Sequence, residues 1–222
     1  MNILRQGIEP EELYNAASED LASIRDASAL ADKDLTGAYQ IIDACREKGI
    51  GILTFQDAAF PSRLRNVEDG PVLLYYKGTI PDLDIQPVIA LVGTRKATAY
   101  GLRTARSMGE QIAACGGLVI SGGAAGVDSA AMEGALHAGY PTVAVLGCGV
   151  DVAYPASNRK LFDNVAANGC LISEYPPGTK PEHWHFPQRN RIISGISDGV
   201  LVVEAPEKSG ALITANWAAE QG

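Results

Sequence analysis

Short, unbroken runs of Val, Ile and Leu in the second half of the chain limit its possible folds most strongly. From residue 88 onward, such runs alternate with stretches of helical pattern at about 101–114, 127–138, 158–167, 189–196 and 210–221. Strands without polar alternation are buried on both faces, which is typical of parallel sheets. Strands that alternate with helices indicate a doubly wound arrangement. The sequence therefore predicts an α/β fold with a doubly wound, mostly parallel sheet, whose strands are expected at 52–55, 72–76, 88–92, 118–120, 142–146, 171–173 and 200–203.

Residues 1–48 are expected to form a small helical segment beside a larger domain at 49–222. Apolar side chains recur in this segment at helical spacing, at Leu13, Ala16, Ala17, Leu21, Ile24, Ile41, Ile42 and Cys45. Acidic residues dominate the rest, and such a charge run is usually a solvated helix face. Within the larger domain, the helix at 101–114 is expected to bury Leu102, Ala105, Met108 and Ile112.

The charge distribution restricts the class of partner. The net charge is −8, and residues 1–86 hold 15 acidic and 8 basic residues, so the remainder is near neutral. This balance argues against a polycation that coats nucleic acid, but it leaves room for a local anion site. Because the apolar runs are too short to span a bilayer and the N-terminus has no apolar signal segment, a cytoplasmic protein with no membrane partner is expected.

The cysteines and histidines give little support for a metal or cofactor. Cys45, Cys115, Cys148 and Cys170 lack the spacing of a zinc or redox motif, so reduced and mostly buried thiols are expected. His183 and His185 could ligate a metal, but without a carboxylate or cysteine at ligand spacing they are interpreted as polar loop residues. The dinucleotide fingerprint and the P-loop are both missing. We expect no metal and no cofactor.

Special residues collect where the predicted strands end. In doubly wound sheets, ligands bind at the carboxyl ends of the strands. Glycine-rich turns that open helices occur there at 121–126 and 209–210, and they favour phosphate binding or, equally, tight packing of helix on strand. Glu174 and Glu204 also end strands. They could serve as acid and base, although holding backbone N–H groups or arginines is the favoured interpretation.

Basic residues converge on the same edge. Of the 10 basic residues after position 86, five are expected there: Arg95, Arg159, Lys160, Arg189 and Arg191. An Arg-x-Arg pair beside an aromatic ring and an amide suits bidentate phosphate contacts and base stacking. A single arginine more often forms a surface ion pair, but the clustering favours an anion site.

Several motifs, taken in order, resemble the bacterial DNA-processing protein A family (DprA, also called Smf). They lie at 57–64, 93–95, 121–128, 146–149, 154–155, 173–178, 186–195 and 209–214. The resemblance covers roughly residues 50–222, and its most specific part is the Arg189-Asn190-Arg191 segment. It extends more weakly to residues 1–48, where it implies a partial SAM-like helical segment. Family members usually continue with another strand, so the chain is expected to be truncated at its C-terminus.

The resemblance implies a Rossmann-like domain that binds single-stranded DNA without catalysis. Family members are cytoplasmic homodimers that protect incoming DNA in natural transformation and load the RecA recombinase onto it. Carried over residue by residue, the DNA-binding residues are Arg95, Ser121, Gly122, Gly123, Gly126, Asn158, Lys160, Arg189, Asn190, Arg191, Ser209 and Gly210. Arg159 is the alternative to Lys160, and Phe186 or a neighbour is expected to stack a base.

Two other functions remain open at this point. A Rossmann-like phosphoribohydrolase acting on nucleoside monophosphates would use the same strand edge, but the turn at 122–127 lacks the threonine and glutamate of that family's motif. A pure adaptor, docking through the acidic N-terminal segment, is the second alternative.

Overall fold

Seven strands join in one sheet, and helices cover both of its faces. The computed structural model describes residues 9–16 and 32–222. The strands are β1 (Gly51–Thr54), β2 (Leu73–Gly78), β3 (Val88–Val92), β4 (Leu118–Ser121), β5 (Thr142–Leu146), β6 (Cys170–Ser173) and β7 (Gly199–Val202). The helices are α1 (Pro10–Asn15), α2 (Thr36–Lys48), α3 (Ser62–Asn66), α4 (Ala99–Ala114), α5 (Val127–His137), α6 (Arg159–Asn168), α7 (His185–Ile196) and α8 (Gly210–Gln221).

The strand order is β1-β2-β6-β5-β4-β3-β7. Strands β6, β5, β4, β3 and β7 are parallel, whereas β1 and β2 extend the sheet in antiparallel fashion. The predicted α/β, mostly parallel and doubly wound sheet is thereby confirmed. The chain leaves β3 toward β4 on one side, and β7 returns to the other side of β3. This reversal creates a crevice at the carboxyl ends of β3 and β7, the usual ligand position in such folds.

The alternation of side chains along the strands divides the core between the two faces. On β3, Val88, Ala90 and Val92 pack with residues of α3, α7 and α8. Leu91 points to the opposite face, where it packs with α4 and α5. Cys45 of α2 is buried with Phe162 of α6 in a third cluster, and the Lys48 ammonium lies 2.5 Å from the Asp151 carboxylate. Helix α2 therefore packs on the sheet domain, and a domain boundary after residue 48 stays a prediction.

The predicted face of α4 is confirmed in part, since Ala105 is buried and Met108 and Ile112 pack against the core. Leu102 is 40% exposed, and the buried positions are Gly101, Ala105, Gly109 and Ala113. A methyl group added at Gly109 would overlap the carbonyl of Ala131 on α5. Only the burial of Leu102 was wrong, because close approach of two helices requires small residues, and this requirement outweighs the burial of a larger apolar side chain.

The start of helix α7 and the surroundings of His185 differ from the expectation. Helix α7 begins at His185, four residues earlier than expected, and His185 is buried with Nδ1 3.0 Å from the carbonyl oxygen of Gly147, so it is not a loop residue. Three cysteines are buried free thiols, while Cys115 is exposed. Burial raises the pKa of Cys148 to about 11 and that of Cys170 to about 12.

Three expectations from the sequence remain: the apolar residues of the N-terminal segment, membrane spans and metal ligands. Ala17, Leu21 and Ile24 lie outside the described residues. Within 9–16 and 32–222, no helix has the length and apolar character of a membrane span. The same ranges contain no group of three or more potential His, Cys, Asp or Glu metal ligands.

Candidate nucleic-acid interface

A groove of about 810 Å³ opens at the carboxyl ends of β3 and β7. Its walls come from the loop after β3, the turn after β4, the start of α7 and the loop that leads from β7 into α8. The expected site residues that it brings together are Arg95, Phe186, Arg189, Asn190, Ser209 and Gly210. Gly122 lines a smaller adjoining pocket together with Arg95, Phe186 and Arg189. The groove thus coincides with the crevice created by the reversal of strand order.

The rim of the groove carries an excess of available positive charge. Arg95, Lys96 and Lys208 are exposed and line it. Glu204 also lines it, but its carboxylate accepts hydrogen bonds from the Thr98 backbone N–H at 3.1 Å and from the Thr98 hydroxyl at 2.8 Å. Glu204 therefore helps to cap the N-terminus of α4, as the interpretation that it holds backbone N–H groups predicts. The groove remains suited to anions on a chain whose net charge is −8.

Arg189 forms part of the floor of the groove and is only 5% exposed. Its Nη1 donates to the carbonyl oxygens of Gly122, at 2.6 Å, and Val145, and its Nε donates to Asn190 Oδ1 at 3.2 Å. Its Nη2 has no hydrogen-bond partner in the described ranges. Burial lowers the pKa of Arg189 to about 10, so the guanidinium is still charged at neutral pH. One amino group of a fixed cation is therefore available to a ligand.

The glycine-rich turn after β4 is occupied by groups of the chain itself. Asp128 is buried beneath the turn, and its carboxylate accepts a hydrogen bond from the backbone N–H of Ala124 at 3.3 Å. Backbone N–H groups of Gly93 and Gly122 also lower the pKa of this carboxyl, although burial, the largest influence, raises it overall. The N–H groups that were expected to bind a ligand phosphate thus serve an internal carboxylate.

The other residues of this turn also have structural partners. Ser121 is fully buried, and its hydroxyl donates to the carbonyl oxygen of Leu91 at 2.6 Å. A methyl group at Gly122 would overlap the Arg189 guanidinium, one at Gly123 would overlap the Phe162 ring, and one at Gly126 would overlap the Thr94 carbonyl. At Gly123 and Gly126 the φ angles are +68° and +86°, which also favour glycine. The structure therefore supports the packing interpretation of these residues.

Asn158 and Lys160 lie outside the groove. The Asn158 side-chain amide donates to the carbonyl oxygen of Gly123 at 3.0 Å and to the Ser129 hydroxyl at 2.8 Å. Asn158 therefore ties the glycine-rich turn to the start of α6. Lys160 and its alternative, Arg159, are exposed on the first turn of α6. Neither lines the groove, and the choice between them stays open.

Arg191 points into a different groove. Its Nη2 lies 2.8 Å from both carboxylate oxygens of Glu174, and its side chain is 12% exposed. This second groove is also lined by Trp217 and Glu220. The pairing confirms the interpretation that Glu174 holds an arginine. It also separates Arg191 from the cationic groove, so a direct phosphate contact beside Arg95 does not fit this geometry.

The aromatic residues of the site form a stack at the rim. The rings of Tyr154 and Phe186 lie 5.5 Å apart with an interplanar angle of 29°. The Arg95 guanidinium carbon lies over the Phe186 ring, 5.1 Å from its centre. Phe186 is therefore already in contact with a ring and a cation.

Sequence reasoning missed three groups at this site. Lys96 directly follows Arg95, and Lys208 directly precedes Ser209, so both belong to loops at the strand ends and could have been found by the same rule. Tyr154 was noted only as part of a motif. His183, considered as a metal ligand, instead lines the groove.

Comparison with known proteins agrees with the family resemblance of the sequence motifs. The family described as DNA recombination-mediator protein A matches residues 51–222. Protein Smf of Synechocystis sp. is 43% identical over 185 residues, which are 82% of this chain and 46% of that protein. The chain therefore spans about half the length of this relative.

Two solved structures are similar over most of the chain. The structure of DNA processing protein A from Streptococcus pneumoniae is 37% identical, with a TM-score of 0.78, over 91% of this chain and 71% of that one. That of DNA processing protein A from Helicobacter pylori, which was described for its single-stranded DNA binding mode, is 32% identical, with a TM-score of 0.70, over 77% of each chain.

Proposed function

The chain belongs to the family of DNA recombination-mediator protein A, and on that premise we propose that it binds single-stranded DNA in the groove between β3 and β7. The single-stranded DNA binding described for the Helicobacter pylori relative supports this ligand. The proposed cellular role is in natural transformation, where the protein protects incoming DNA and loads RecA onto it. A homodimeric state, a cytoplasmic location and a helical segment at 1–48 separate from the DNA-binding domain are further parts of the proposal.

The observation that carries the proposal is the convergence of cations on one groove of an acidic chain. Arg95, Lys96 and Lys208 would contact phosphates at the rim, and Nη2 of Arg189 would donate from the floor. The N-terminus of α8 adds backbone N–H groups, since the space beside the Gly210 α-carbon is open. Ser209 shapes this end, because its hydroxyl accepts a hydrogen bond from the Ala211 N–H at 3.2 Å.

The other expected residues take supporting roles in this proposal. Ser121, Gly122, Gly123, Gly126 and Asn158 fix the turn beneath the groove. Asn190 ties helix α7 to the start of α8, because its side-chain amide donates to the Gly210 carbonyl at 3.2 Å. Lys160 would contact the strand only beyond the groove.

Binding without catalysis fits the carboxylates of the groove. Asp128 is buried under backbone N–H groups, and Glu204 is held by Thr98. Neither is therefore placed as a free acid or base for the alternative phosphoribohydrolase reaction. Release of free base from a panel of nucleoside monophosphates tests that alternative, and steady turnover would support it.

The test of the proposed function is a titration of fluorescent oligo-dT of about 30 nucleotides at several salt concentrations, beside a duplex of equal length. We expect salt-sensitive binding that favours the single strand. Arg95→Glu should abolish most of it, while Arg103→Glu, a change of the same charge at an exposed position outside the groove, should have a small effect. Equal loss in both variants, or no binding at low salt, would refute the assignment of the groove.

A further inference from the structure

The Phe186 ring offers little free surface to a nucleobase. It is only partly exposed, the Tyr154 ring is stacked on it, and the Arg95 guanidinium lies over it. A base cannot stack on a face that another group already covers. If bases stack at this site, the contact therefore requires another ring in the same cluster.

Tyr154 has the position and exposure that this contact needs. The residue is 38% exposed, and it lines the small pocket beside the groove together with Arg95, Phe186 and Arg189. The stack with Phe186 fixes the orientation of the ring, so that little side-chain freedom remains to be lost when a ligand binds.

We infer that Tyr154 is the platform on which a base of single-stranded nucleic acid stacks, with Phe186 as the ring that supports it from behind. This inference rests on the proposed function and adds a base-dependent contact to its phosphate contacts. Stacking on an aromatic ring is tolerant of sequence because every base has a π-face. The platform should therefore distinguish a strand with bases from one without them, and it should do so for all four bases.

The experiment compares oligo-dT of about 12 nucleotides with an oligomer of equal length and charge whose residues are all tetrahydrofuran abasic analogues. The readout is the ratio of the two dissociation constants, abasic over dT. In Tyr154→Leu this ratio should fall by about 5- to 150-fold relative to wild type, the range that corresponds to one stacked base. Binding of the abasic oligomer should change little, because its phosphate contacts are untouched.

Matched variants separate stacking from folding. Tyr140→Leu removes a tyrosine of similar exposure, 41%. Tyr140 precedes β5 and therefore lies at the amino ends of the strands, away from the groove, so this variant should leave the ratio unchanged. Tyr154→Trp should keep or raise the ratio because it enlarges the ring. Retained abasic binding in each variant reports a folded groove, and it does so in the same titration.

The outcomes distinguish the two levels of the proposal. If wild type binds both oligomers and Tyr154→Leu leaves the ratio unchanged, the platform is refuted while DNA binding stands. If Tyr154→Leu also loses abasic binding while Tyr154→Trp behaves as wild type toward both oligomers, the ring has a structural role only, and the platform is again refuted. If wild type binds neither oligomer, the proposed function fails and the platform fails with it.

Discussion

Replacement of the buried guanidinium in Arg189→Met should destabilise the fold strongly. The change keeps an unbranched apolar stem, but it removes the donors to the Gly122 and Val145 carbonyl oxygens. It also leaves the buried Asp128 carboxylate without its neighbouring cation. Each buried acceptor that loses its donor costs about 1–3 kcal/mol, so the two carbonyl oxygens alone predict a loss of about 2–6 kcal/mol. That amount is a large part of the total stability of an ordinary domain, about 5–15 kcal/mol.

The pH dependence of this loss has a defined sign. Arg189 holds the Asp128 pKa down, although burial keeps that pKa above its usual value of 3.8. In Arg189→Met the Asp128 pKa should rise further. An acid with a raised folded pKa contributes stability that is full below its unfolded pKa and is lost as the pH rises through the folded pKa. The loss of stability relative to wild type should therefore shrink as the pH falls below neutral.

Urea unfolding at several pH values measures both effects, since the free energy of unfolding is linear in urea concentration. Asp128→Asn in the Arg189→Met background removes the unpaired charge but keeps an oxygen acceptor. It should recover about 0.5–3 kcal/mol at neutral pH, the usual range for coupled neighbours. A loss below about 1 kcal/mol in the single variant would contradict a stabilising role of Arg189. No recovery in the double variant would show that Arg189 does not compensate the buried Asp128 carboxylate.

Three further predictions test other parts of the site. Arg95→Ala and Lys208→Ala should each lower the slope of log affinity against log salt by about 0.7 in the oligo-dT titration, since each removes one phosphate contact; unchanged slopes would exclude such contacts. Arg191→Ala should leave that slope unchanged but lower the melting temperature, because its partner is Glu174; a reduced slope would contradict this pairing. Iodoacetamide, followed by mass spectrometry, should label exposed Cys115 long before Cys148, whose raised pKa of about 11 keeps the thiol protonated; equal labelling rates would contradict this burial.

The sheet was predictable from the sequence because its signal is local. The runs that form β3 and β5 have the observed ends, since unbroken apolar runs bounded by Gly or Pro leave few alternatives. The glycines in the buried face of α4 were not predictable in this way. Gly109 lies against the backbone of Ala131 on α5, where a side chain would not fit. This close contact depends on how the two helices pack together, and apolar spacing along one helix does not reveal it.

At the site, too, the sequence predicted where residues lie but not which way their side chains point. The rule that ligands bind at strand ends placed Arg95, Ser209 and Gly210 in one groove. It could not determine which way the neighbouring arginines of α7 point. Successive residues of a helix are about 100° apart, so Arg189 and Arg191 project about 200° apart and enter different grooves. A helix that begins at His185 fixes these directions, whereas the sequence pattern indicated a helix only from Arg189.

The Asp128 side chain under the glycine-rich turn also bears on which ligands the groove can hold. A cell contains many free nucleotides, and an empty turn of this kind would attract their terminal phosphates. Here the Asp128 side chain already accepts a hydrogen bond from the turn, so a phosphate that enters it finds the Ala124 N–H engaged. A polymer gains affinity from several rim contacts at once, and a mononucleotide does not. If the groove binds single-stranded DNA as proposed, we expect the occupied turn to favour a long strand over a mononucleotide.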